Sequence, residues 1–199
     1  MTEIAILIPA AGASLRMEGR DKLLEQVDGQ PLLLRQVRMA LGTGAPVLVA
    51  LPPNRPDRLA ALRTAVDDRL DIVTVQKASE GMAASIRAGA EWAKSLTVRG
   101  LMILPADMPN LQTSDLKAMM HAFANDHILR ATDAADTPGH PVIFPKRLFF
   151  KLTQLQGDTG ARDLLQGERV VAFALPDDRA TLDLDTPEAW ADWRQKSKR

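Results

Sequence analysis

Ile4-Ala-Ile-Leu-Ile8, followed by Pro9-Ala-Ala-Gly-Ala-Ser-Leu-Arg-Met-Glu-Gly-Arg-Asp-Lys22, is the stretch that decides the fold. An apolar run without polar alternation describes a strand buried on both faces, as inside a parallel sheet. Pro9 ends it. Residues 10–22 mix Gly, Ala and charge without a period, which makes them a long loop, and long ordered loops are often functional.

Working outward, Pro31 precedes Leu32, Leu33, Gln36, Val37, Ala40 and Leu41, a stripe at 3.6-residue spacing that predicts the first crossover helix. The same reading places strands at 47–51, 70–75, 100–104, 127–131, 141–144 and 170–173, and helices at 55–66, 79–96 (capped by Ser79), 113–124 (opened by Thr113), 159–165 and after Pro187. Strands alternating with helices predict an α/β fold, a parallel or mixed sheet covered by helices on both faces. With 199 residues, 46% of them hydrophobic, the chain is long enough for a substantial core and reads as one domain, residues 1–199.

Lys plus Arg and Asp plus Glu both number 25, so no global field draws the chain to nucleic acid or to an anionic membrane; phosphate binding has to be local. The absence of cysteine excludes disulfides, iron–sulfur ligation and a thiol nucleophile, and it fits a reducing compartment. The N-terminal apolar run lacks a basic flank, and no apolar stretch approaches bilayer length. A soluble, cytoplasmic protein with no membrane partner is expected.

Three segments follow buried strands, where ligands bind in open sheets. In the first, the small residues Ala10, Ala11, Gly12, Ala13 and Ser14 allow backbone N–H groups to approach phosphate oxygens, and Arg16 and Lys22 supply positive charge. The other reading is a flexible surface turn with solvated Arg and Lys. The second, Leu104-Pro-Ala-Asp-Met-Pro109, holds Asp107 between two prolines, suited either to a hard cation that bridges phosphates or to a turn. In the third, Leu182-Asp-Leu-Asp-Thr-Pro-Glu188, Asp183 and Asp185 would face one side of a strand and share metal ions near Asp107; Asp185 or Thr186 also suits the cap of the last helix.

Weaker candidates are Gly81 and Ser85 at a helix start that could face a nucleotide base or anion, His140 before a strand, where it could touch the acceptor, and Asp158 and Arg162 in Gly157-Asp-Thr-Gly-Ala-Arg162, which could reach an acidic acceptor. Each also has a packing, capping or solvated role open to it. The histidines lack zinc-ligand spacing, and the three Trp residues read as packing residues.

Taken in order, these segments resemble the nucleotidyltransferases of molybdenum-cofactor maturation, whose loop runs Leu-Ala-Ala/Gly-Gly-x-Ser-x-Arg-Met-Gly-x-x-Lys. Residues 9–22 carry that pattern, and Gly81-Met-x-x-Ser85, Pro105-Ala-Asp-Met-Pro109, Gly139-x-Pro141, Gly157-Asp-x-Gly-Ala-Arg162 and Asp183-x-Asp-Thr-Pro-Glu188 follow in the family's order. The resemblance implies a Rossmann-like three-layer sandwich with a mostly parallel sheet, a bound CTP or GTP, and Mg²⁺ held by Asp107, with Asp185 completing the metal site. It also implies that the loop backbone, Arg16 and Lys22 hold the phosphates. Ala10-Ala11-Gly12, rather than Ala-Gly-Gly, looks like the cytidylyl branch, which favours CTP over GTP, molybdopterin cofactor as acceptor and a molybdoenzyme as client.

Two positions depart from the pattern. Pro9 replaces Leu, a feature similar to cytidylyltransferases of isoprenoid synthesis, and Glu18 replaces a loop Gly; its side chain is expected to point away from the phosphates. The expected chemistry is in-line attack of an acceptor phosphate oxygen on the α-phosphorus, with Mg²⁺-pyrophosphate leaving. The alternatives are guanylyl transfer, a small-metabolite acceptor, or a non-catalytic carrier of the cofactor. All depend on Asp107 and Lys22 lying on the same side of the sheet.

Overall fold

The computed structural model describes residues 3–157 and 161–197. β1 (Ile4–Pro9) is the strand expected from the apolar run. Its two faces serve two cores: Ile4, Ile6 and Ile8 pack into one, Ala5 and Leu7 into the other. The unbroken apolar run follows directly from this, because neither set of alternate side chains meets water.

The chain continues through a two-strand hairpin, β2 (Gln26–Val27) and β3 (Gln30–Pro31), into α1 (Leu32–Leu41), then β4 (Val47–Leu51), α2 (Pro56–Ala61), β5 (Leu70–Thr74) and α3 (Met82–Ser95). β6 (Gly100–Ile103), α4 (Thr113–Ala122), β7 (Ile128–Thr132), β8 (Pro138–Pro145), α5 (Phe149–Thr153), α6 (Arg162–Gln166), β9 (Val170–Ala174) and α7 (Pro187–Ser197) follow. The main sheet has the order β5-β4-β1-β6-β8-β7-β9. β5, β4, β1 and β6 pair in parallel, β8 runs antiparallel to both β6 and β7, and β9 is parallel to β7.

The sheet is therefore mostly parallel. Leu33, Val37 and Ala40 of α1 with Leu116 and Met119 of α4 cover one face. Ala84, Ala90 and Ala93 of α3 with Phe149 and Leu152 of α5 cover the other, which makes three layers. Gly89 permits the close approach of α3 to β1, since a Cβ there would stand 2.5 Å from the Leu7 side chain.

The crossovers from β1 lead through β4 to β5 on one side, and the chain then returns to place β6 on the other side of β1. Such a reversal opens a crevice at the strand carboxyl ends, between the segments after Pro9 and after Ile103. Among the described residues no helix is long and apolar enough to cross a membrane.

Several local expectations are corrected. The helix placed at 55–66 is helical only over Pro56–Ala61. Ser79 does not cap α3: Ala78–Glu80 is a 3-10 turn, and Gly81, at φ 76°, is the cap. That left-handed φ is strained for any residue with a Cβ, so glycine sets where the helix begins. α4 is opened by Gln112, whose backbone N–H donates to Asp115 Oδ2 at 2.9 Å in a reciprocal capping box. Residues 182–185 form no strand. The start expected at Thr159, with Asp158, lies outside the described residues; α6 begins at Arg162.

Candidate functional site

The loop after β1 is folded by left-handed turns and by one buried cation. Ser14 (φ 54°) and Glu18 (φ 50°) flank the 3-10 turn Leu15–Met17, and a second 3-10 turn, Lys22–Leu24, is capped by Asp21, which accepts from the Leu23 N–H at 3.1 Å. Met17, fully buried with Val27, Leu32, Leu184 and Trp190, pins the middle of the loop to the C-terminal segment.

Arg58 of α2 has no exposed side-chain area. Its Nε and Nη2 donate to the two Asp21 carboxylate oxygens at 2.7 and 2.9 Å, Nη1 donates to the Ala10 carbonyl at 2.6 Å, and Nη2 also reaches Ser14 Oγ at 3.1 Å. A guanidinium removed from water is tolerated when a carboxylate pairs with it bidentately and its remaining donors are satisfied. Arg58 thus fastens both ends of the loop, and through Asp21 it fixes the turn that carries Lys22.

Lys22 Nζ lies 2.5 Å from Asp107 Oδ2 and 2.5 Å from Asp185 Oδ1. Burial works against the ammonium, yet the two carboxylates outweigh it and hold Lys22 above the ordinary lysine range. The Arg16 guanidinium also bonds Asp185. Asp107, Asp183 and Asp185 each offer a carboxylate oxygen, all within 4.8 Å of one another. Asp183 is held above the usual carboxylate range by partial burial and by the charges of Asp185 and Asp107.

The segment after position 182 reaches this point without a strand because the Leu184 N–H donates to the Asp107 carbonyl at 3.2 Å while its side chain is buried. Asp183 and Asp185 flank that anchor, and both carboxylates come close to Asp107 although the strand expected here does not form. A compact all-oxygen donor set fits a hard divalent cation such as Mg²⁺.

Beside the cluster is a cavity of about 680 Å³, within the usual range for a small-molecule site. Ala10, Ala11, Gly12, Ala13 and Lys22 line one side; Gly81, Met82 and Ser85 at the start of α3 line another, with Asp107 nearby. A Cβ built on Gly12 would meet no protein atom within 4 Å, so the space over this backbone belongs to the cavity and not to packing. Among the residues expected to contact the nucleotide, Ser14 and Arg16 do not line it. Ser14 turns its hydroxyl to Arg58 and Asp21, and Arg16, 71% exposed, is drawn to Asp185. Glu18 is exposed and outside the lining, as expected.

With this geometry established, likeness to known proteins gives the family. Residues 6–174 match the MobA-like NTP transferase domain. The chain belongs to this family of nucleotidyltransferases. It is 28% identical over 189 residues to the purine catabolism protein PucB of Bacillus subtilis, covering 91% of each chain. It is 31% identical over 171 residues to a molybdenum cofactor guanylyltransferase of Burkholderia vietnamiensis, covering 83% of this chain and 78% of the other. The crystal structure of Rv0371c from Mycobacterium tuberculosis superposes with a TM-score of 0.80 at 27% identity, covering 100% of this chain and 98% of the other.

In this MobA-like transferase His140 and Arg162 lie apart from the cavity beside Lys22. They line a second, smaller cavity with Arg130. Burial pushes the His140 imidazole down to about 4, helped by the Arg130 charge and opposed by Asp107, so it is neutral at physiological pH. Gly139 leaves no choice of side chain, since a Cβ would stand 1.8 Å from the Ala180 carbonyl oxygen. Asp158, also nominated here, lies outside the described residues.

Arg58 is not legible as a functional residue in the sequence of this MobA-like chain. In Pro56-Asp-Arg-Leu-Ala-Ala61 an arginine reads as a solvated helix residue, and nothing local marks Asp21 as its partner.

Proposed function

We propose that this chain transfers a nucleoside monophosphate from CTP to a phosphate-bearing acceptor of the molybdopterin type, with release of pyrophosphate. The observation that carries the reading is the convergence of Lys22 with Asp107, Asp183 and Asp185 beside a cavity floored by bare loop backbone. Ala10, Ala11, Gly12 and Ala13 present backbone to the triphosphate, with Gly12 leaving room for close approach. Lys22 neutralises charge on the α- and β-phosphates as it builds, and Arg16, tethered beside it at Asp185, assists from the rim. Gly81 and Ser85 border the nucleotide from α3.

Mg²⁺ held by Asp107 with Asp185 and Asp183 would supply charge neutralisation and orientation of the phosphates. No side chain has to form a covalent bond. The work of the chain is to align the acceptor oxygen with the α-phosphorus and to keep positive charge opposite the departing pyrophosphate. The cytoplasm, where nucleoside triphosphates are at hand and a chain without cysteine loses nothing by lacking disulfides, suits this reaction.

Ala10-Ala11-Gly12 favours CTP. A second reading, GTP, is supported by the relatives named molybdenum cofactor guanylyltransferase. Pyrophosphate release measured with CTP, GTP, ATP and UTP, with and without Mg²⁺ and molybdopterin, tests both. Preference for CTP sustains the first reading and preference for GTP the second. Tight molybdopterin binding without turnover on any triphosphate would instead identify a cofactor carrier and overturn both.

A further inference from the structure

Gln36 lies in the middle of α1 and is fully buried, beside Leu32, Leu33, Val37 and Ala40, none of which has exposed surface. With a leucine or methionine at this place the apolar stripe of the helix would run on unbroken. An amide taken out of water costs free energy unless it is hydrogen-bonded, so its partner has to be accounted for.

That partner is the loop after β6. Gln36 Nε2 donates to the Met108 carbonyl at 2.7 Å, across 72 positions of sequence. Met108 directly follows Asp107, the carboxylate that meets Lys22 Nζ at 2.5 Å and groups with Asp183 and Asp185. The amide has one useful orientation, because turned over it would set its oxygen against the carbonyl oxygen. Gln36 Oε1 is buried too and accepts from no described residue, so the bond to Met108 is what this amide contributes.

The loop needs such a holder. Residues 104–109 form neither helix nor strand, and Pro105 and Pro109 have no N–H to give. The Leu104 N–H ties the start of the segment to the Leu7 carbonyl of β1 at 2.9 Å. Beyond that point the Asp107 carbonyl accepts from the Leu184 N–H at 3.2 Å and the Met108 carbonyl accepts from Gln36, with a long 3.4 Å bond from the Leu111 N–H beside it. Two successive carbonyls are thus held from two directions, one by the segment that carries Asp183 and Asp185 and one by α1. The backbone from Asp107 to Pro109 cannot rotate without breaking one of these bonds, and that backbone aims the Asp107 carboxylate.

We propose that Gln36 is a positioning residue of the transferase: through the Met108 carbonyl it fixes the Asp107 carboxylate where a divalent cation needs it. The inference rests on the metal reading given above and extends the site to a buried residue of α1 that does not line the cavity. Groups behind a metal ligand that set its orientation typically govern metal affinity or activity by about 10–100-fold.

The test uses the full chain and Mn²⁺ alone as the probe, with the electron paramagnetic resonance signal of the free ion reporting the amount unbound. Gln36→Met keeps the volume and the helix and removes the donor. It should bind Mn²⁺ about tenfold more weakly than the wild type and lower kcat for pyrophosphate release by about tenfold, while the KM for the triphosphate stays within about twofold. Gln36→His places its Nε2 as many bonds from the backbone as the amide nitrogen, and should bring both quantities back to within about threefold of the wild type. Val37→Ala, buried in the same turn of α1, should lower the Tm and leave Mn²⁺ affinity unchanged. If Gln36→Met yields no folded protein, Gln36→Asn, which withdraws the amide by one methylene, takes its place with the same expectation.

Wild-type Mn²⁺ affinity in Gln36→Met would overturn the proposal, as would an equal loss of affinity in Gln36→Met and Val37→Ala, since the amide would then serve stability alone. Asp107→Asn separates this outcome from failure of the metal reading. If that variant binds Mn²⁺ as the wild type does, the metal reading falls and the role of Gln36 falls with it; if it loses Mn²⁺ while Gln36→Met does not, only Gln36 is removed.

Discussion

Lys22 Nζ stands 2.5 Å from Asp107 Oδ2, although 85 positions of sequence separate the two residues. Lys22 closes the long loop that follows β1 and Asp107 sits in the segment that follows the adjacent parallel strand β6, and the reversal of strand order at β1 brings both segments to one crevice. A cation site and a basic side chain that act on one triphosphate have to share one side of the sheet, and these two groups are in contact.

Lys22→Ala should lower turnover by about 10²–10³-fold, the scale seen when a preorganised positive or hydrogen-bonding group is removed from a developing charge. It should also destabilise the metal-free protein, because Asp107, Asp183 and Asp185 lose the cation among them. Added Mg²⁺ should recover the Tm but not the rate. Pyrophosphate-release kinetics and thermal melts with and without metal check both parts.

Asp183→Asn separates stability from function. The folded protein holds the Asp183 carboxyl above its ordinary value, so ionisation of this group is harder folded than unfolded. Its contribution is therefore unfavourable at neutral pH and is relieved as pH falls towards the raised pKa. The Asn variant should melt on the order of 1–2 °C higher without metal, and it should bind Mg²⁺ more weakly by calorimetry. A lower Tm with unchanged Mg²⁺ affinity would place Asp183 outside the cation site.

Arg58→Met removes the buried cation and leaves Asp21 inside the protein without its bidentate partner. Breaking such a pair costs about 3–5 kcal/mol. Because the Ala10 carbonyl and Ser14 are released with it, the KM for the nucleoside triphosphate should also rise. Arg58→Lys should not rescue either property, since an ammonium cannot reproduce the fork that spans Asp21, Ala10 and Ser14. Denaturant titration and steady-state kinetics of both variants give the answer.

His140 should make the fold acid-sensitive. Its pKa, pulled down to about 4 from 6.5 by burial and Arg130, means that the unfolded chain binds a proton more readily than the folded one between those values. Stability is fully present above about pH 6.5 and falls as pH drops towards 4, by an amount on the order of 3 kcal/mol. His140→Gln should flatten that part of the profile. Urea unfolding at pH 4.5, 5.5 and 7 measures it, and identical slopes in both proteins would remove His140 as the cause.

How much of this was legible in sequence depends on how far each feature is local. The strand Ile4–Pro9 was readable because burial on both faces leaves an unbroken apolar run, and the loop after it because Gly, Ala and charge without a period exclude a helix. Asp183 and Asp185 were readable as a pair because a buried leucine between two carboxylates fixes their side, even though no strand forms there. The hairpin at β2 and β3 and the short α5 carry too few residues for a periodic signal.

The rest was decided only when the chain closed on itself. Nothing in residues 56–61 distinguishes a buried arginine from a solvated one; Arg58 becomes a loop anchor because Asp21, 37 positions away, meets it. The Ser14 hydroxyl meets Arg58, 44 positions away, only in the folded chain, and Arg130 and Arg162 became neighbours only through the pairing of β7 with β8 and the docking of α6. Local patterns record whether a residue faces water or core, since that is set by the period of its own element. Which charged group meets which is set by the order in which strands assemble, and no single segment contains that information.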